Sequence, residues 1–169
     1  MTAAPGLMVR EAVEGDLPAI TRLYNHFVTE TIVNFDVRPF TVEERRVWFG
    51  QFSSSGRWRI FVAEYGGRFA GYVGSMKHKA KLAYETSVET TIYVDPEYAG
   101  RGIGRALYDR LFQALAGEDV HRALAGVALP NDASLALHRA LGFTEIGVFH
   151  EVGRKFGRYH DVLWLEKGF

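Results

Sequence analysis

The sequence predicts an α/β (α+β) fold, a mixed central sheet with helices on both faces, in the order β-α-α-β-β-β-α-β-α-β-β. Three observations predict it. Runs with apolar residues at helical spacing alternate with runs rich in β-branched and aromatic residues. Gly66-Gly67 sits between two such β runs, and both positions of a tight hairpin turn tolerate φ > 0 only when occupied by residues such as glycine. In the second half, strands and helices alternate singly, as they do when layers cover both sides of a sheet. The 169 residues carry no internal repeat, low-complexity run or linker, so 1–169 is expected to form one domain.

Leu7–Val13 reads as an opening strand. In "GDLPAITRLYNHFV", Leu17, Ile20, Leu23, Tyr24, Phe27 and Val28 recur at helical spacing, with Asp16 as the expected cap and Pro18 in the first turn. A second helix opens at "TVEERRVWF", where Thr41 and Glu44 form a capping box. "RIFVAEYGGRFAGYVGSM" is the hairpin. Ser87–Val94 is a further strand, ended by Pro96. A helix follows from about Gly102 to Ala116, with Ile103, Leu107, Leu111 and Leu115 on one face. "RALAGVAL" is a buried-type strand and "NDASLALHRALGF" a short helix ending at Gly142. Residues 144–166 form a closing strand pair turning near Gly157.

Composition narrows the functional classes. Apolar residues are 47% and charged residues 24%, the balance of a folding chain. The 20 basic residues match the 20 acidic ones, without the basic excess usual for nucleic-acid binding. No cysteine is present, which excludes disulfides, thiolate metal sites and a cysteine nucleophile. No apolar stretch approaches the roughly 20 residues that span a bilayer, and the start lacks a secretory pattern. A cytoplasmic protein with no membrane, nucleic-acid or metal partner is expected.

The chemistry concentrates at "VDPEYAGRGIGRALYDRLF". A strand, a turn holding Gly100, Gly102 and Gly104, and a helix start together suit a phosphate: backbone N–H groups converge, and the helix dipole favours negative charge. Arg101 and Arg105 add charge. The G-x-x-x-x-G-K-[ST] loop of nucleoside triphosphate binding is absent. The dinucleotide pattern G-x-G-x-x-G/A also fails, because its last position falls on Arg105 or Leu107. A tight turn with a solvated basic helix start is the alternative.

"RGIGRA" matches the Q/R-x-x-G-x-G/A signature of the GNAT superfamily of N-acetyltransferases, and the chain resembles that family along nearly its whole length. Within it, "LYNHFV", "VETTIYVDPEYAGRGIG", "NDASLALHRALGF" and above all the tail "VGRKFGRYHDVLWL" are similar to the phosphinothricin and methionine sulfoximine acetyltransferase group. The resemblance implies a GNAT-like, mostly antiparallel sheet. It implies acetyl-CoA as co-substrate, a small amino-acid-like amine as acceptor, direct attack in a ternary complex, and a homodimer. The turn Gly100, Arg101, Gly102, Ile103, Gly104 and Arg105 would hold the pyrophosphate. Backbone groups of Ile92, Tyr93 and Val94 would hold the acetyl carbonyl and pantetheine as an added strand, with Asn131 and Ser134 completing the cofactor site.

Strand alternation places Glu89, Thr91 and Tyr93 on one face of the sheet. The family implies Glu89 as general base; an ion pair with a nearby Lys or Arg, or a solvated edge, is the structural alternative. Asn131 is equally a helix cap. His138 stands where many relatives have a tyrosine proposed to protonate the leaving thiolate. Imidazole is suited to that near neutral pH, and a buried, satisfied histidine is the other reading. For the acceptor, Lys79, Lys81 and Tyr84 take the family's anion-binding places, beside Glu89, Thr90 and Thr91, with Phe35 and Arg38 lining the same cleft. A solvated basic loop is the alternative. Two other functions remain: acetylation of a protein N-terminus or other amine, and a non-catalytic CoA-binding module.

Overall fold

The computed structural model describes residues 6–169. Seven strands and four helices follow the expected order: β1 (Leu7–Glu11), α1 (Leu17–Glu30), α2 (Val42–Phe49), β2 (Ile60–Tyr65), β3 (Arg68–Lys77), β4 (Ser87–Val94), α3 (Ile103–Leu115), β5 (Arg122–Ala128), α4 (Asp132–Ala140), β6 (Thr144–Lys155) and β7 (Arg158–Gly168). The strands form a single sheet in the order β1-β2-β3-β4-β5-β7-β6. Every neighbouring pair is antiparallel except β4 and β5, which run parallel.

Local chemistry sets most of the boundaries. Gly66 and Gly67 take φ of 58° and 76°, the left-handed pair that a two-residue hairpin turn needs. Thr41 accepts from the Glu44 N–H at 3.2 Å while Glu44 accepts from the Thr41 N–H at 2.8 Å, closing the capping box of α2. The cap expected of Asp16 does not form. Asp16 is itself helical (φ −81°, ψ −17°), and its carboxylate instead takes two bonds from Arg10, at 2.7 and 2.8 Å, and one from the Val13 N–H at 2.8 Å. A charge-assisted bidentate pair outcompetes a neutral N–H. β1 ends at Glu11, two residues before the expected boundary.

Alternation along the strands divides the core. Phe61, Ala63, Val73 and Val88 face Leu107, Leu111 and Leu115 of α3, while Ile60, Val62 and Tyr72 face Ile20 and Leu23 of α1. Each leucine of α3 is fully buried, which contributes roughly 1.5–3 kcal/mol per side chain. The glycine turn and the site strand β4 are thereby fixed to a rigid layer.

Candidate active site

β4 and β5 are paired only at Ser87–Arg122, Val88–Ala123 and Glu89–Leu124. Beyond Glu89 they part: β4 continues on β3 to Val94, and β5 continues on β7 to Ala128. The β5-facing edge of Ile92, Tyr93 and Val94 therefore has no strand partner among the described residues. A cleft of about 530 Å³ fills the opening, walled by residues 90–94 of β4, residues 125–128 of β5, the glycine turn and α4.

The turn closes one end of this cleft. Gly100 and Gly102 both take φ of 75°, and Gly102 is the left-handed N-cap of α3. The first bond of α3 runs from the Ala106 N–H to the Gly102 carbonyl, so the N–H groups of Ile103, Gly104 and Arg105 have no intrahelical partner. Gly104 has a different reason to be glycine. A Cβ there would lie 2.9 Å from Leu137 of α4, so its job is close packing between two helices. Arg105 lines the cleft and forks onto Asp109 at 3.1 Å. Arg101 turns away, its guanidinium 5.0 Å from the Tyr65 ring centre and 5.8 Å from that of Tyr98.

α4 supplies the opposite wall. Asn131 Oδ1 caps Ser134 N–H at 3.2 Å, and both residues line the cleft. The cap occupies the oxygen and leaves the Asn131 amide nitrogen as a donor. His138 is 2% exposed. Its Nδ1 lies 2.7 Å from the Ser134 carbonyl, which can only accept, so the proton of the neutral ring sits on Nδ1. Nε2 then accepts from the Tyr108 hydroxyl at 2.8 Å. Burial pushes the His138 pKa below its ordinary 6.5, which favours the neutral ring. In this arrangement Nε2 has no proton to give, so the direct acid role expected for His138 does not fit the geometry; the Tyr108 hydroxyl also lies 3.1 Å from Thr90 Oγ1.

Glu89 projects from the other face of β4. Thr90 bonds Tyr108 of α3, whereas Tyr93 packs edge-on to Tyr24 and against Phe27 of α1. Glu89 shares the Tyr93 side and faces His78 Nδ1 at 3.4 Å. It lines a second cavity of about 380 Å³ with Tyr24, Asp36, Arg45, Trp48, Tyr72 and Met76. Thr90, Thr91, Tyr93 and Gly126 border both cavities, so the strand split connects the two faces of the sheet.

The expected acceptor residues divide. Thr90, Thr91 and Glu89 line this cavity; Lys79, Lys81 and Tyr84 lie exposed outside it, with the Lys79 ammonium 5.0 Å over the Tyr84 ring. Arg38 is exposed and pairs with Glu44 at 3.0 Å. Phe35 anchors the α1–α2 connection rather than lining the cavity. It stacks with His160, and a Cβ on Gly153 would come within 2.6 Å of its ring. Lys155, 3% exposed, donates to the Asn34 carbonyl at 2.9 Å. The tail "VGRKFGR" thus holds the segment that carries Asp36. His78, Tyr108, Asp36 and Arg45 were not singled out from sequence. Arg45 alone left a signal: it occupies the inward i position of α2, with Trp48 and Phe49 at i+3 and i+4.

Comparison with known proteins agrees with this geometry. Residues 20–143 match the Acetyltransferase (GNAT) family. The chain is 52% identical to a phosphinothricin N-acetyltransferase of Streptomyces coelicolor, over 99% of both chains. It is 32% identical to the L-methionine sulfoximine/L-methionine sulfone acetyltransferase of Salmonella typhimurium, over 95% of this chain and 93% of that one. A GNAT superfamily phosphinothricin acetyltransferase from Sinorhizobium meliloti, solved in complex with AcCoA, superposes with a TM-score of 0.90 at 30% identity, over 97% of this chain and 89% of that one. A strand split, a helix N-terminus beside it and a sequence alike from end to end leave one conclusion: the chain belongs to the acetyltransferase (GNAT) family.

Proposed function

We propose that the chain, as one domain, transfers the acetyl group of acetyl-CoA to the amine of a small amino-acid-like acceptor of the phosphinothricin, methionine sulfoximine or methionine sulfone type. The observation that carries this reading is the parting of β4 and β5 immediately after Glu89. It leaves a free strand edge for an extended arm, next to unpartnered helix N–H groups for a pyrophosphate, with a carboxylate at the far side of the opening. The cleft residues fit that co-substrate: Gly100 and Gly102 to Arg105 present backbone N–H groups, Ile92 to Val94 present a strand edge, and Asn131 and Ser134 present polar groups opposite.

Acetyl-CoA supplies an activated acyl group, so no covalent enzyme intermediate is needed, and the lack of cysteine is no obstacle. Glu89 takes the proton that the amine must lose before it attacks. The Tyr108 hydroxyl lines the cleft floor, and its single proton turns from His138 Nε2 to the sulfur where charge builds as the thioester opens. His138 then acts through Tyr108, as a positioning residue.

The working form is a homodimer in the cytoplasm. Edge strand β6 supports the first part: it has an open edge among the described residues, and its Ile146, Phe149 and Val152 are each more than half exposed. No helix among the described residues is long and apolar enough to cross a membrane.

The test is thiol release from acetyl-CoA over an amine panel that includes the three named acceptors. Steady turnover on amino-acid amines is expected. Thermal stabilisation by acetyl-CoA without turnover on any amine would reduce the chain to a binding module. No shift in melting temperature at millimolar acetyl-CoA would remove the cofactor assignment.

A further inference from the structure

Arg45 is a buried cation without an anion. It is 6% exposed, and its Nε and Nη2 are buried without a hydrogen-bond partner. No carboxylate among the described residues lies within ion-pair distance of it. Its guanidinium is held between aromatic faces, 3.6 Å from the Trp48 ring centre and 4.2 Å from that of Tyr24. Stacking fixes the plane of the fork and offsets part of the desolvation. It leaves Nε and Nη2 without an acceptor, and a buried charge in that state is costly.

A second unsatisfied donor stands beside it. The Tyr72 hydroxyl is buried beside the Arg45 guanidinium, and its own proton has no acceptor. Both residues line the cavity that Glu89 lines. Arg45 packs on Trp48, the Trp48 N–H donates to Met76 Sδ at 3.3 Å, and Met76 is the ladder partner of Glu89. The opposite sign is also present: Asp36, which accepts from the Tyr24 hydroxyl, and Glu89 itself. Donors and carboxylates lining one cavity match the two charges of a zwitterion.

We infer that Arg45 and the Tyr72 hydroxyl bind the carboxylate of an α-amino-acid acceptor, and so set the enzyme's preference for free amino acids. The inference rests on the acceptor reading above and assigns its anion recognition to α2 and β3, not to the exposed lysines of the β3–β4 loop. The acceptor carboxylate supplies the partner that Arg45 lacks, and the α-amine is turned towards Glu89.

The test compares methionine sulfone with its carboxamide, which keeps the amine and loses the charge. Wild type is expected to favour the acid in kcat/KM by at least roughly tenfold, the usual worth of a charged hydrogen bond. Arg45→Gln should abolish most of that preference, chiefly through KM; Arg45→Lys should keep part of it, and Tyr72→Phe should reduce it less. Lys79→Gln and Lys81→Gln should leave the preference intact. A merely structural arginine would lower acid and amide together and keep their ratio, which would overturn the inference. So would a larger loss of preference in either lysine variant. Equal use of acid and amide by wild type would sink Arg45's role while acetyl transfer to amines stood. No thiol release with either compound would sink the acceptor reading as well.

Discussion

The Tyr108 hydroxyl donates to Nε2 of His138 across 2.8 Å, with both groups buried in the wall of the cleft. Burial lowers the pKa of the histidine, so the unfolded chain takes up this proton more readily than the folded chain. Below about pH 6.5 the unfolded state therefore binds more protons, and stability falls as pH drops, by up to about 1.4 kcal/mol per pH unit within that window. Urea unfolding at pH 7.5 and 5.5 measures it. The loss is expected to be smaller in His138→Asn.

Tyr108→Phe keeps the ring packing and removes the hydroxyl. It is expected to lower kcat by roughly 10²–10³-fold, the range for one lost transition-state donor, with little change in acetyl-CoA affinity. A variant with wild-type kcat would take Tyr108 out of the chemistry.

Glu89→Gln should lower the rate by roughly 10²–10⁴-fold and remove the acidic limb of the kcat/KM profile. Glutamine preserves size and a polar contact to His78, so unfolding is not the expected cause. An unchanged pH profile would count against the general base.

The two glycines of the turn should separate. Gly102 is left-handed and opens onto free space, so Gly102→Ala strains the N-terminus of α3 by about 1 kcal/mol and displaces the N–H groups beside the cleft. Gly104→Ala meets only the tip of Leu137, which can shift. Isothermal titration with acetyl-CoA should find the larger loss for Gly102→Ala.

Gly153→Ala would drive a Cβ into the Phe35 ring and move the segment that carries Asp36. Acceptor KM is expected to rise several-fold while acetyl-CoA affinity stays near wild type. Equal effects on both would mean that the tail supports the fold as a whole.

The element order, the Gly66-Gly67 hairpin, the capping box of α2 and the turn at Gly100–Arg105 were all legible in the sequence. Each is decided by residues within a few positions of one another: turn φ angles, reciprocal caps, and the 2 and 3.6 periods. Asp16 was misread because a cap is a local competitor, and Arg10 became its partner only once β1 folded back onto the start of α1. The alternation that put Glu89 opposite Thr90 was also local, and it held. What joins Glu89 to Arg45, His138 to Tyr108 and Gly153 to Phe35 lies 44, 30 and 118 residues apart along the chain. No periodicity records such distances. The sequence by itself determined the strands, the helices and the phosphate-type turn, because backbone preference and amphipathic spacing act over a few residues. The tertiary structure alone decided where β4 and β5 part, which tyrosine pairs with His138, and that the buried Arg45 has no carboxylate at ion-pair distance among the described residues, because desolvation and charge pairing depend on what the fold brings alongside.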